Sequence, residues 1–314
     1  MIINKSKVVI VGAGAVGSST AFSLVTQGVC DDVVLTDINQ EKAVGEAMDL
    51  QHCIEYLNRN VKVRAGTYED CGDADIVVIT ASAPYIQGQN RLDMLGTSKK
   101  IVKSIVDPIM KTGFDGVFVV ISNPVDIMSY YIYKLSGLQK NQVVGTGTAL
   151  DTSRLKCLIA NKIDVDPRSV HCTVMGEHGD SQMVPWSRVT VGSKDFYNII
   201  ADNSERLPGA DLKQMVHETA EAGWEILRRK GNTNYGIATT AAGIIKAILH
   251  DESKIIPVST LLCGEYGEND VFAGVPSVLN RTGVKEVVEV RMTDEELLQF
   301  KKSVAVIREF SSKL

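Results

Sequence analysis

Three short stretches of the chain place residues that can do chemistry at fixed spacings. Residues 12–17 read Gly-Ala-Gly-Ala-Val-Gly, and Asp37 follows 20 residues after Gly17. Residues 151–154 read Asp-Thr-Ser-Arg, and residues 176–181 read Gly-Glu-His-Gly-Asp-Ser. In the first stretch Gly12 permits a tight turn, Gly14 lets backbone approach a pyrophosphate, and Gly17 lets a helix pack close to a strand. A helix opening there offers unpaired N–H groups and a positive dipole end to phosphates. A carboxylate at Asp37 accepts hydrogen bonds from a ribose diol and repels a 2′-phosphate, which favours NAD over NADP. The other two stretches carry the residue types of acid/base and anion-binding chemistry. Taken singly they are ambiguous: one histidine is more often structural, and Asp followed three residues later by Arg often only opens a helix with a surface ion pair.

The elements that must position these residues differ between the two halves. In the first half, KVVIV (7–11), DVVLTD (32–37), VKVRA (61–65), DIVVITA (75–81) and GVFVVIS (116–122) carry apolar residues in succession. Strands buried on both faces of a parallel sheet require that pattern. Helical stretches over 15–27, 41–55 and about 92–111 separate them. Strand alternating with helix predicts an α/β, Rossmann-type doubly wound parallel sheet. Beyond Gly145 a helix over 152–163, a strand-like SVHCTVM, helices over 210–230 and 236–250, the runs KIIPVSTLLC and DVFAGVPSVLNRTG, and a final helix over 293–310 follow. Thr293 and Glu296 have the spacing of a capping box. Segregated strands and helices predict an α+β domain, so the reading is a cofactor half over 1–145 and a substrate half over 146–314.

Composition narrows the class. Lys and Arg number 33 against 38 Asp and Glu in 314 residues, a formal net charge of −5. A sequence-independent nucleic-acid or anionic-membrane binder would need a basic surface instead. Apolar residues at 44% and charged residues at 23% exclude a disordered or fibrous chain. The six cysteines form no C-x-x-C pair or dense framework, so reduced thiols are expected. No signal-peptide pattern and no 18-residue apolar run occur, and the expectation is a cytoplasmic protein. No cluster has metal-ligand spacing.

Read together, GAGAVG, SNPVD (122–126), DTSR and GEHGDS make the chain resemble the lactate/malate dehydrogenase family along its whole length. The resemblance implies reversible hydride transfer between NADH and a 2-oxo acid. His178 would protonate the ketone oxygen, Asp151 would orient its imidazole, and Arg91 would polarise the carbonyl from a lid loop over 82–91. Arg154 would hold the substrate carboxylate, and Asn123, Tyr85 and Thr233 would complete the substrate site. The cofactor would meet Gly12, Gly14, Val16, Gly17, Asp37, Lys42, Tyr68, Ser82, Ala83, Ser104, Ile121, Asn123 and Thr146. Glu177 and Thr233 match the lactate branch, implying pyruvate and lactate as the pair. A broader L-2-hydroxyacid dehydrogenase, a malate dehydrogenase and a silent NAD-binding sensor are the alternatives.

Tyr85 departs from the family, which places Arg there for malate and Gln for lactate. Without a cation the second carboxylate of oxaloacetate would be buried unpaired, at a cost of several kcal/mol. The lid also carries Ser82 in place of Gly and Ile86-Gln87 in place of Lys-Pro. Lys156 and His171 fall where bacterial members bind fructose 1,6-bisphosphate, Lys156 replacing an arginine. The family further implies a homo-oligomer, a tetramer in preference to a dimer, of the bacterial type without an N-terminal arm.

Overall fold

The computed structural model of the protein describes residues 5–82, 91–203, 205, 207 and 211–313, and of 91–94 the backbone alone. Strand and helix alternate through the first half: β1 (Lys7–Val11), α1 (Ala15–Gln27), β2 (Asp32–Thr36), α2 (Gln40–His52), β3 (Lys62–Ala65), β4 (Ile76–Ile79), α3 (Arg91–Lys111), β5 (Val117–Val120), α4 (Val125–Ser136) and β6 (Val143–Gly145). Every residue of β1, β4 and β5 is buried. Helices cover both faces of these strands, which is why their apolar residues run in succession. They pair in parallel in the spatial order β6-β5-β4-β1-β2-β3. The order reverses between β1 and β4, and a crevice at the strand C-termini is the consequence.

The second half contains α5 (Ala149–Ile163), β7 (Val170–His171), β8 (Thr190–Val191), β9 (Lys194–Asp195), α6 (Phe196–Asp202), α7 (Leu212–Lys230), α8 (Tyr235–Leu249), β10 (Lys254–Cys263), β11 (Asn269–Asn280), β12 (Gly283–Val287) and α9 (Asp294–Ser311). Strands β10 to β12 are antiparallel and extend the first sheet beyond β6 to nine strands. The join is narrow, with Ser259 of β10 opposite Gly145 of β6. A separate sheet of β7, β8 and β9 packs with α5 and α7 around its own apolar cluster.

The run SVHCTVM forms a ladder strand only over Val170–His171. At Val174 two threonines of the α5 segment replace the ladder: Thr152 Oγ1 accepts the Val174 N–H at 2.9 Å, and Thr148 Oγ1 donates to its carbonyl at 2.6 Å. The capping box forms on α9, where Glu296 N–H donates to Thr293 Oγ1 (3.3 Å) and Thr293 N–H donates to Glu296 Oε2 (2.9 Å).

Candidate active site

The glycine turn lies between the C-terminus of β1 and the start of α1. Gly12 has φ +108°, and a Cβ there would collide with Thr80 Oγ1. A Cβ on Gly17 would run into the Gly12 carbonyl oxygen, so helix and turn meet with no room to spare. Above Gly14 a Cβ would meet nothing, and α1 opens without a side-chain cap. The first-turn N–H groups therefore face open space, the arrangement a phosphate needs. Asp37 braces the turn from the end of β2: its Oδ2 accepts the Ala13 N–H at 2.7 Å and its Oδ1 the Asn39 N–H at 2.8 Å. Lone pairs remain on both oxygens for a ribose diol. These residues fit a dinucleotide.

Across the crevice, Asp151 and Arg154 project from α5, three residues apart on one helix face. The Asp151 side chain is only 2% exposed and lies between two cationic groups. Its Oδ2 is 2.6 Å from His178 Nδ1, and its Oδ1 accepts from Arg154 Nη1 at 3.0 Å. Burial alone would raise the Asp151 pKa, but the charges and hydrogen bonds of His178 and Arg154 outweigh it and hold the carboxyl below its ordinary value. Burial alone would lower the pKa of His178. The Asp151 carboxylate overcomes this and raises it, with a further contribution from Asp126 and a smaller opposing one from Arg154. With Nδ1 engaged, Nε2 is the ring atom left for proton transfer, and the 27% exposed side chain gives it access to the cleft.

The cleft holds about 620 Å³ of space, part of it open solvent, and Asn123, Thr146, Arg154, His178 and Thr233 share its wall. Of the expected cofactor residues, Val16, Ser82, Ile121, Asn123 and Thr146 line it as well. Burial raises the Tyr68 phenol pKa, with further contributions from Cys71 and from the Asp37 charge. Lys42 is exposed in the first turn of α2, and Ser104 is exposed on α3 with its hydroxyl donating to the Ile101 carbonyl at 2.8 Å; neither lines the cleft. Ala83 and Tyr85, with most of the expected lid, lie outside the described residues. Arg91 opens α3, its side chain likewise outside the description. Lys156, half-buried on α5, and His171, exposed on β7, lie on two elements that pack together, and neither lines the cleft. The Lys156 charge partly opposes the burial that pushes the neighbouring Cys172 thiol up to about 12.

The comparison with known proteins agrees with this geometry. Residues 6–145 match the model of the lactate/malate dehydrogenase NAD-binding domain, and residues 148–313 that of the lactate/malate dehydrogenase alpha/beta C-terminal domain. The chain belongs to the lactate/malate dehydrogenase family. It is 52% identical over 304 residues to L-lactate dehydrogenase 3 of Bacillus thuringiensis subsp. konkukian, covering 97% of this chain and 96% of the relative. It is 50% identical to L-lactate dehydrogenase 1 of Bifidobacterium longum subsp. longum, covering 98% and 97%. The ligands-bound crystal structure of the minor L-lactate dehydrogenase from Enterococcus mundtii superposes with a TM-score of 0.95 at 46% identity, covering 98% of both chains.

Three features of this lactate/malate dehydrogenase escape a reading of sequence alone. Gly223 on α7 backs the Arg154 guanidinium, and a Cβ there would stand 3.1 Å from Nη2. A glycine inside a helix that costs about 1 kcal/mol relative to alanine was the available signal. Glu177 turns to its own loop, where its Oε2 accepts from Ser181 Oγ at 2.5 Å, while its N–H donates to Ser303 Oγ of α9 at 2.8 Å. Asn234 Nδ2 donates to Ser19 Oγ at 2.8 Å, fastening the start of α8, next to Thr233, onto α1.

Proposed function

We propose that this chain is an NAD-dependent L-lactate dehydrogenase, reducing pyruvate to lactate and running in reverse, with residues 1–145 as the cofactor half and 146–314 as the substrate half. The observation that carries the reading is Asp151 buried between His178 and Arg154 on the wall of a cleft that opens beside the glycine turn. When bound, NADH supplies the hydride that reaches the ketone carbon. His178 donates its Nε2 proton to the ketone oxygen, so pyruvate gains one hydride and one proton, and the imidazole left behind takes a new proton from solvent. Asp151 keeps the ring in the orientation that presents Nε2 and favours its charged form near neutral pH. Arg154 keeps donors free beyond the one it gives Asp151, and they grip the substrate carboxylate in the fork geometry of a guanidinium. Asn123 and Thr233, both lining the cleft, frame the reacting oxygen and the substrate. Arg91 adds a cation as the lid closes, in a drier medium where charge counts for more.

Tyr85 in place of a cation supports pyruvate over oxaloacetate, since a second carboxylate would lose its hydration without a partner. Following NADH oxidation with pyruvate, 2-oxobutyrate, 2-oxoisocaproate and oxaloacetate, each with and without fructose 1,6-bisphosphate, tests the reading. Pyruvate is the expected preferred substrate; turnover of oxaloacetate with none of pyruvate overturns it. Activation by the sugar bisphosphate is the expected signature of the Lys156 and His171 pair. The exposed Val44 and Met48, one turn apart on α2, are apolar surface that a homo-oligomer would cover, and sedimentation distinguishes the proposed tetramer from a dimer. No helix among the described residues is long and apolar enough to cross a membrane, and the reading places the enzyme in the cytoplasm.

A further inference from the structure

Asp126 ends the SNPVD stretch, and the proposed reaction makes no use of it. It is 3% exposed in the first turn of α4. A carboxylate taken that far out of water is unfavourable unless hydrogen bonds and charge replace its hydration. Its Oδ2 accepts the main-chain N–H of His178 at 2.9 Å, and its Oδ1 accepts from Ser259 Oγ at 2.5 Å. The N-terminus of α4, which lacks a side-chain cap, turns its positive end toward the same carboxylate.

These contacts converge from three segments. Asp126 belongs to the first half, Ser259 is the β10 residue paired with Gly145 where the two parts of the sheet join, and His178 lies on its own loop. Asn123, on the cleft wall, stands three residues before Asp126 on the same strand-to-helix turn. Asp151 fixes the His178 ring, while Asp126 fixes its main chain to the frame that carries Asn123.

We infer that Asp126 is a positioning residue for the proton donor: from one buried carboxylate it pins the His178 main chain across the seam and places a second negative charge behind the ring. This inference rests on the dehydrogenase reading above. Among the described residues, the charges acting on His178 are Asp151 and Arg154 from α5 and Asp126 from α4, and Glu177 of the His178 loop acts on Asp126. Burial raises the Asp126 pKa to about 6 even against the Ser259 hydroxyl and the His178 N–H, which pull it down. The carboxylate is therefore charged at neutral pH and keeps His178 protonated to higher pH than Asp151 alone would.

The test uses Asp126→Asn in the full-length protein. The amide can still accept the His178 N–H and can donate to Ser259, so it removes charge while leaving shape. Steady-state kinetics with pyruvate across about pH 6 to about pH 9, together with NADH binding by fluorescence, give the readout. The alkaline limb of kcat/KM is expected to move to lower pH, with about a tenfold loss at the alkaline end, a smaller loss at the acid end, and NADH affinity held within about twofold. A carboxylate with a purely structural role would lower the active fraction equally at every pH, and an unmoved limb overturns the inference. Should the variant fail to fold, Ser259→Ala leaves the carboxylate with one donor fewer, so it protonates more readily. The alkaline limb of kcat/KM should then move to lower pH by less than in Asp126→Asn, and superimposable profiles overturn the inference. A wild-type protein that reduces no 2-oxo acid removes the underlying reading instead, which separates the two failures.

Discussion

Replacing Asp151 by Asn isolates the charge that sits between His178 and Arg154. The side chain keeps its size, and its remaining oxygen can still accept from Nδ1, so the hydrogen bond is weakened but present. What disappears is the attraction between carboxylate and imidazolium at the 2.6 Å contact. Two unit charges about 4 Å apart interact by about 4 kcal/mol at an effective dielectric near 20. The His178 side chain retains 27% exposure, which screens part of this, and the retained acceptor offsets a further part. About 2–3 kcal/mol of preference for the protonated ring should be lost, roughly 30- to 150-fold in the equilibrium between donor and neutral forms. Burial, no longer opposed, then favours the neutral ring.

The loss has a definite pH signature. His178 has its pKa raised in the wild type, so the proton donor is present below that value and disappears as pH rises through it. In Asp151→Asn the disappearance should come at lower pH. Pyruvate reduction followed at saturating NADH should show kcat/KM reduced roughly 100-fold on the alkaline side and largely recovered toward the acid end. A solvent deuterium isotope effect should grow as proton delivery becomes limiting. A uniform loss at every pH, with the limb in its wild-type position, would refute the assignment of Asp151 as the group that keeps His178 charged.

Arg154→Lys exchanges a planar fork for a point charge, and kcat/KM for pyruvate should fall by about 30- to 150-fold, most of it in KM, for about 2–3 kcal/mol of lost bidentate binding. Gly223→Ala should act on stability and affinity with opposite signs. Alanine favours α7 by about 1 kcal/mol and raises or preserves Tm, while its Cβ, 3.1 Å from Arg154 Nη2, displaces the guanidinium and raises KM. Glu296 accepts from Ser187 N–H, Ser187 Oγ and Thr293 N–H, bonds that outweigh burial and lower its pKa. Its contribution is therefore present at neutral pH and lost as pH falls through the lowered value, so Glu296→Gln should lower stability by about 1 kcal/mol near pH 7 and converge on the wild type in acid, as read by urea unfolding.

Much of the fold is legible because burial leaves a pattern in adjacent residues. The successive apolar residues of β1, β4 and β5, the whole of β10 over 254–263 and the Thr293–Glu296 cap are local signals, and the structure forms each of them. Strand β6 has only three residues, too few to show a period, yet it is where the parallel and antiparallel parts of the sheet meet. That β10 to β12 continue the first sheet depends on pairing between residues far apart in the chain, which no local pattern encodes. The trio of Asp151, Arg154 and His178 announces itself by residue type and motif. Asp126 and Ser259 do not, since 133 residues separate them and serine in a buried strand has no signature. The ending of β7 at His171 follows from Thr148 and Thr152, which take the Val174 backbone groups from a helix rather than from a strand.

The charges that meet at His178 explain why an acidic protein can turn over an anion, and why one more cation is required. Protonated His178 and Arg154 face Asp151 and Asp126, with Glu177 acting on Asp126, two positive against three negative. Even with the proton in place the group holds no excess of positive charge. A substrate carboxylate on Arg154 adds to the negative charge, and proton donation to the ketone adds further. The second step makes reprotonation from solvent favourable, which resets the donor. The first would oppose substrate binding unless another positive group arrived with the substrate. Arg91 stands at the N-terminus of α3, an end that disfavours a cation. In the proposed reaction Arg91 is the positive group that offsets the substrate anion.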